Sequence, residues 1–263
     1  MWPHERAGRP LWQRLARLTP ARIGLGRAGA GLPTREVLKF GLAHAQARDA
    51  VHTPMEAAAV AGAVEALDLR TVTVTSGAED RATYLRRPDY GRRLSPESLK
   101  ALSDSAGEPV DLALVVADGL SARAVHEGAA ALLAAFKPHA ERAGWRLAPV
   151  VIATQARVAL GDAVGAALKA RAVVVVIGER PGLSSPDSLG LYVTFDPRPG
   201  RSDAERNCIS NVRPAGLSFE LAAFKLNWLL TQAFSRGLTG VNLKDESDRL
   251  VEASIPDPVI GPR

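Results

Sequence analysis

The sequence has very little cysteine and few aromatic residues. Its one cysteine is Cys208, so a single chain can form neither an internal disulfide nor a zinc cluster held by several thiolates. Aromatic residues make up only 5% of the chain. Near-absence of cysteine is typical of proteins from a reducing compartment, and we therefore expect a cytoplasmic protein.

The sequence also lacks long hydrophobic runs. Its most apolar stretches, Ala129–Phe136 and Ala172–Ile177, fall well short of the ~20 residues that a membrane helix needs. The N-terminus has no apolar segment followed by a small-residue cleavage site. We expect neither a membrane partner nor secretion. With 46% hydrophobic and 23% charged residues in 263, the chain can form a substantial core.

Charge is unevenly distributed along the chain. Residues 1–100 contain 16 Lys or Arg and 10 Asp or Glu, a net +6, whereas residues 101–263 contain 17 and 18, a net −1. The basic residues are scattered rather than clustered, so the pattern does not predict a nucleic-acid partner.

The order of the predicted elements indicates an α/β fold. Apolar, β-branched strands alternate with helices from Val110 onwards, which favours a Rossmann-like parallel sheet with flanking helices. We predict strands at Thr71–Thr75, Val110–Ala117, Leu147–Thr154, Ala172–Ile177 and Leu191–Phe195. The predicted domains are an N-terminal arm over residues 1–20, a smaller, mostly helical portion over residues 21–105, and the Rossmann-like domain over residues 106–263.

Local signals predict where several helices begin. The spacing of Trp12, Leu15 and Leu18 indicates a short amphipathic helix in the arm. Thr34, Ser95, Ser121 and a Thr53–Glu56 capping box are the expected N-terminal caps. Residues 84–94 are expected to form a loop rich in Pro and Arg. A final helix is predicted over residues 218–234.

One glycine-rich segment imitates a dinucleotide-binding fingerprint. Gly24, Gly26 and Gly29 have the required spacing. However, only three residues separate Gly24 from Pro20, and Pro33 follows the segment. The fingerprint needs a hydrophobic strand before it and a helix directly after it. We therefore interpret the segment as an entry into the helix that begins near Thr34.

Candidate ligand-binding loops follow the predicted strands, because open α/β sheets bind ligands beyond the carboxyl ends of their strands. These loops are residues 118–121, 155–158 and 178–183. Glu179 stands directly at a strand end and could accept hydrogen bonds from a ligand, or it could simply pair with Arg180. Asp118 and Ser121 are better explained as a turn and a helix cap than as an acid and a nucleophile.

The remaining reactive side chains give no catalytic pattern. The five histidines form no recognisable metal-binding motif, so we predict no metal site and assign no catalytic residue. Cys208 lies among Arg206, Asn207, Ser210 and Asn211. We expect these polar residues to form a loop that contacts a ligand, rather than one that presents a nucleophilic thiol.

Seven motifs, in register over about residues 21–245, together resemble the small (light) subunit of ethanolamine ammonia-lyase. The matching segments are Gly26-Arg27-Ala28-Gly29, Leu32-Pro33-Thr34, residues 44–51 (HAQARDAV), residues 87–94 (RPDYGRRL), Asp118-Gly119-Leu120-Ser121-Ala122, residues 178–183 (GERPGL) with Ser188-Leu189, and residues 206–211 (RNCISN).

The resemblance implies a lyase subunit that works with adenosylcobalamin. With a large subunit that carries the substrate site, such a chain would complete the cobalamin site at the subunit interface and support radical conversion of ethanolamine to acetaldehyde and ammonia. The resemblance assigns cofactor contacts, but not cobalt ligation, to Val158, Glu179 and Cys208. The expected partners are therefore the large subunit and the cofactor.

Two other functions stay open at this point, since fold alone does not fix function. The chain could be a metabolite-binding protein without enzyme activity, or a scaffold that only stabilises a partner. Some members of the family carry a longer N-terminal extension that resembles a tail for targeting to bacterial microcompartments. Only about 20 residues precede the match here, so encapsulation is left open.

Overall fold

The computed structural model describes residues 9–19 and 21–249. Nine α-helices occur within these residues, at Arg9–Ala16 (α1), Thr34–His52 (α2), Ala57–Glu65 (α3), Arg81–Arg86 (α4), Pro88–Gly91 (α5), Pro96–Ser105 (α6), Ala122–Ala143 (α7), Leu160–Ala167 (α8) and Phe219–Arg236 (α9). Six strands are Thr71–Thr75 (β1), Val110–Ala117 (β2), Val150–Thr154 (β3), Ala170–Gly178 (β4), Leu189–Phe195 (β5) and Asn207–Val212 (β6).

The strands form one sheet in the order β1-β3-β2-β4-β5-β6. The first four strands in this order are parallel neighbours, whereas β5 runs antiparallel to β4, and β6 antiparallel to β5. The α/β class is therefore confirmed, but the sheet is mixed: the predicted parallel arrangement holds for β1, β3, β2 and β4 and is wrong for β5, the last predicted strand. Only residues 179–188 connect β4 to β5, and a parallel crossover needs a dozen or more residues.

The sheet is buried on both faces. Along β2, Leu112, Leu114 and Val116 face the layer that contains α3, α7 and α9. The alternate residues Ala113 and Val115 face the layer that contains α6 and α8. This two-residue alternation within a continuous apolar run is the pattern of a central strand covered by helices on both sides.

The strand β1 is an edge strand of the same sheet, because it pairs in register with β3 from Thr71 to Thr75. The predicted strand is thus confirmed, and it joins the helical N-terminal portion to the sheet. The division into domains at residues 20 and 105 stays a prediction.

Two predicted serine N-caps are confirmed, whereas the two predicted threonine N-caps are wrong. Ser95 and Ser121 accept hydrogen bonds from the backbone N–H groups three residues ahead, both at 3.2 Å. The predicted capping box is wrong, because the Thr53 hydroxyl instead donates to Asp49 O at the end of α2. Likewise, α2 begins at Thr34 without a side-chain cap.

Two segments that the sequence predicts as loops are regular. Residues 84–94 contain the end of α4 and all of α5. Asp80 caps α4 by accepting from Thr83 N at 2.7 Å, and Pro88 opens α5. Cys208 lies on β6 rather than in a loop. The predicted helix around Trp12 is confirmed as α1. Within residues 9–19 and 21–249, no helix is long and apolar enough to cross a membrane.

Candidate functional site

The candidate site is a pocket of about 420 Å³ beyond the carboxyl ends of β2, β3 and β4. The helix after β2 (α7) and the helix after β3 (α8) pack on opposite faces of the sheet. When the helices that follow two neighbouring strands lie on opposite faces of a sheet, a crevice opens between the strand ends, and ligands bind in it. The pocket is lined by Tyr84, Gly119, Leu120, Arg157, Val158, Ile177, Gly178, Glu179, Arg180 and Tyr192.

Two glycines allow the ends of β2 and β4 to approach closely at the base of the pocket. Gly119 has a positive φ of 54°, and a Cβ atom there would lie 2.2 Å from Gly178 O. A Cβ atom on Gly178 would lie 2.1 Å from Ser121 O. Only glycine avoids these clashes, so both residues are required for the geometry of the pocket base.

The Glu179 carboxylate is held in place at the edge of the pocket. Its Oε2 atom accepts a hydrogen bond from the Ser188 hydroxyl at 2.5 Å and another from Asn211 N at 3.2 Å. The side chain lies against Gly190, where a Cβ atom would be 3.0 Å from the Glu179 Oε1. This fixed carboxylate presents acceptor capacity to a ligand.

Val158 and Arg157 form the neighbouring wall. The Arg157 guanidinium stacks over the Tyr84 ring at 4.3 Å from its centroid, and Arg157 N donates to Gly91 O at 2.8 Å. The Arg157 Nε atom is buried and has no hydrogen-bond partner. A buried donor without a partner is costly, and at a functional site it indicates a missing acceptor.

Cys208 lies one strand beyond the pocket wall. It pairs with Tyr192 across the antiparallel β5 and β6, so the two side chains point to the same face of the sheet. Although the residue is exposed, its sulfur is partly desolvated, which raises the pKa of the thiol. The Tyr192 hydroxyl opposes this shift, and the Glu179 carboxylate adds to it. The thiol therefore stays neutral and offers a soft contact.

A buried network supports the loops behind the pocket. Asp118 accepts from Gln155 N and Ala156 N, both at 2.9 Å, and from the Arg81 guanidinium at 3.2 Å. Burial raises the pKa of Asp118, against the effect of Ala156 N and Arg81. The same guanidinium donates to Val51 O at the end of α2. Asp118 is thus a structural residue that ties the loop after β3 to the loop after β2.

The polar residues around Cys208 have different roles from those that the sequence indicates. Arg206 forms a buried, bidentate ion pair with Asp162, with distances of 2.6 and 2.7 Å. Asn207 binds the backbone of Gly240 and Leu243. The side chains of Arg206 and Asn207 thus hold β6 to neighbouring elements, and the ligand contact predicted for Cys208 stays a prediction.

Two tyrosines in the pocket wall were missed by the sequence analysis. Tyr84 is fully buried, and its hydroxyl donates to Ala156 O at 3.1 Å. Tyr192 interrupts the apolar strand β5 with a hydroxyl group, which was the one signal available. Burial raises the pKa of both phenols, which stay protonated donors at neutral pH. Across the described residues, no cluster of three or more His, Cys, Asp or Glu could hold a metal ion.

Comparison with known proteins identifies the family. The family described as "Ethanolamine ammonia-lyase light chain (EutC)" matches residues 9–244 of this chain. This chain belongs to that family.

Relatives of the small subunit cover most of the chain. The "Ethanolamine ammonia-lyase small subunit" of Xanthomonas campestris (strain ATCC 33913) is 57% identical over 244 residues, 92% of this chain and 90% of the relative. The proteins of the same name from Azotobacter vinelandii and Rhodopseudomonas palustris are 56% and 55% identical, and each match covers about nine tenths of both chains. The predicted membership of the ethanolamine ammonia-lyase small-subunit family is thus confirmed.

Proposed function

We propose that this chain is the small subunit of an ethanolamine ammonia-lyase and forms one side of an adenosylcobalamin site whose other side a large subunit supplies. The complex would convert ethanolamine to acetaldehyde and ammonia. The observation that supports this most is the position of Val158 and Glu179 in one strand-end pocket, with Cys208 on the adjoining face.

The pocket suits part of a corrin rather than a whole cofactor. Its volume of about 420 Å³ is far smaller than a cobalamin, so a second protein surface must cover the rest. The rim of a corrin carries carboxamides, each with two N–H donors and a carbonyl acceptor. The pocket offers a carboxylate acceptor at Glu179, and its wall contains Arg157, whose buried Nε donor has no partner.

Each assigned residue has a distinct role in this proposal. Glu179 accepts from a carboxamide N–H, and its bonds to Ser188 and Asn211 keep the carboxylate from moving when the ligand binds. Val158 supplies an apolar contact and backbone groups at the end of β3. Cys208 supplies a small, soft surface beside Tyr192.

The cofactor would supply the radical chemistry through homolysis of its Co–C bond, and the protein supplies binding, orientation and exclusion of water. In this division, the small subunit holds the rim of the corrin. The substrate site and the reacting carbon atoms belong to the large subunit, and no catalytic residue is assigned to this chain.

The test is co-purification with the large subunit in the presence of adenosylcobalamin. The pair should elute together with a cobalamin absorption spectrum, and ethanolamine should then generate the cob(II)alamin spectrum. Glu179→Gln keeps the shape but removes the charge, and should weaken cofactor retention about 10- to 100-fold, the usual loss for a charged hydrogen bond. Subunit association should not change.

The matched control is Glu108→Gln, which removes an exposed carboxylate remote from the pocket. It should retain the cofactor like the wild type. If the chain is only a structural scaffold, Glu179→Gln should weaken subunit association, and the amount of cobalamin bound per complex should stay constant. That result would reject the proposed cofactor role.

A further inference from the structure

The helix α2 has its small residues inside and its large apolar residues outside. Ala43 and Ala47 are half-buried and Ala50 is buried, so the alanine face packs on the body. Leu38 and Leu42, on the opposite face, are 68% and 60% exposed. A helix with one partner buries its large apolar residues. The pattern of α2 therefore indicates a second partner on its outer face.

The exposed apolar surface continues onto α1. Leu11, Trp12 and Leu15 are all exposed there, and Trp12 lies against Gly24, where a Cβ atom would approach the Trp12 Cβ to 2.7 Å. We call residues 9–52 the docking arm. Several large apolar side chains exposed on one segment mark an interaction site rather than ordinary surface composition.

The docking arm also carries the entire positive excess of the chain. Residues 9–52 contain eight Lys or Arg and two Asp or Glu, a net +6, whereas the whole chain has +5. Residues 53–100 contain seven Lys or Arg and seven Asp or Glu, so their net charge is zero. Two docking arms would repel each other, which disfavours a second copy of this chain as the occupant. Charge complementarity favours a partner with an acidic surface.

The docking arm contacts the connection between β4 and β5 that follows the pocket residue Glu179. Arg22, between α1 and α2, donates to Leu183 O at 3.4 Å, and Leu183 lies in the connection that begins at Glu179. The Arg22 guanidinium also lies over the Phe40 ring of α2, 5.7 Å from its centroid. A partner seated on the docking arm would therefore reach the side of the molecule where the pocket opens.

We propose that the docking arm is the surface that binds the large subunit, in an apolar groove bordered by carboxylates. Leu38 and Leu42 are the apolar anchors, and the basic side chains of the arm contact the acidic border. This inference rests on the proposed function for the identity of the partner. The inference goes beyond the proposed function because it assigns the binding of the large subunit to a segment that is separate from the cofactor pocket.

The test compares Leu38→Glu/Leu42→Glu with the wild type in binding to the purified large subunit. Because both side chains are exposed, the double variant should keep the circular dichroism spectrum and Tm of the isolated chain. Its Kd for the large subunit should rise about 100-fold or more, as expected when two anchors are replaced by charges that an acidic groove repels. Val241→Glu, at a residue 73% exposed outside the arm, is the control and should bind normally.

The outcomes separate this inference from the proposed function. If the wild type binds neither the large subunit nor cobalamin, the proposed function fails. If the wild type binds both and the double variant binds the large subunit equally well, only the docking arm is rejected. Dimers of the isolated chain that disappear in the double variant, or binding to phosphatidylserine vesicles that the double variant loses, would also overturn it in favour of another occupant.

Discussion

At the scale of single residues, close backbone contacts define the base of the pocket. Gly119 follows β2 in a left-handed conformation. The next residue, Leu120, donates its backbone N–H to Gly178 O at the end of β4, at 2.9 Å. A side chain on either glycine would separate the two strand ends. The shape of the pocket thus depends on two residues that contribute no functional group.

Gly119→Ala should therefore destabilise the protein by about 2–5 kcal/mol, from backbone strain together with overpacking against Gly178. Gly144→Ala is the matched control, since Gly144 also has a positive φ, of 67°, but open space around its Cα. Its loss should be only about 1–2 kcal/mol, the cost of a left-handed backbone for an L-residue. Urea denaturation measures both, and equal losses would show that the close approach is not what matters.

Glu205 provides a prediction about pH. Ser202 N donates to its carboxylate at 2.7 Å, and the Arg201 guanidinium and the Ser202 hydroxyl also bind it. The Ser202 backbone, then Arg201, lower the pKa of Glu205 from 4.5 to about 2. Because the pKa is lower in the folded state, the carboxylate stabilises the fold above pH 4.5, and this contribution is lost as the pH falls through 2.

Glu205→Gln should accordingly be less stable than the wild type at pH 7, and the difference should shrink between pH 4.5 and pH 2. Denaturation at a series of pH values measures this difference. A gap between the two proteins that stays constant down to pH 2 would contradict the role of the Glu205 charge.

At the scale of secondary-structure elements, a buried ion pair joins α8 to the start of β6. The side chains of Asp162 and Arg206 are each only 2% exposed, and Arg206 also donates to the Thr194 hydroxyl of β5 at 2.9 Å. The pair therefore attaches the antiparallel hairpin to a helix that covers the parallel part of the sheet. Removing one partner leaves a buried charge uncompensated.

Asp162→Ala should lower the free energy of unfolding by about 3–5 kcal/mol. Asp104→Ala is the control, because it breaks the exposed Lys100–Asp104 pair and should cost less than about 1 kcal/mol. Asp162→Leu combined with Arg206→Met should cost less than the sum of the two single changes, since no lone charge remains. Additive losses would show that the two side chains act independently.

At the scale of the whole molecule, the sequence predicts elements better than their arrangement. The apolar strands β2 and β4 and the caps Ser95 and Ser121 were predictable because hydrophobic runs and N-cap residues are local signals. The direction of β5 depends on the length of a connection that the pattern alone does not delimit. The strand that carries Cys208 was hidden by polar residues whose partners, Asp162 and Gly240, are distant in sequence.

The candidate site shows the same limit. The strand-end rule pointed to the loops that contain Val158 and Glu179, and the structure brings both into one pocket. Tyr84 could not be found this way, because it enters the pocket from a helix that precedes the central strands. Its position depends on tertiary packing against Arg157 and Ala156.

The walls of the pocket span the chain from Tyr84 to Tyr192, and four strands must pair before these walls meet. Contacts between residues so distant in sequence carry a cost in chain-closure entropy, so we expect them to form after the local contacts. The pocket is therefore complete only once the chain has been made past Tyr192 and these strands have paired. A ligand that needs both walls of this pocket has no complete site to bind during the first steps of folding.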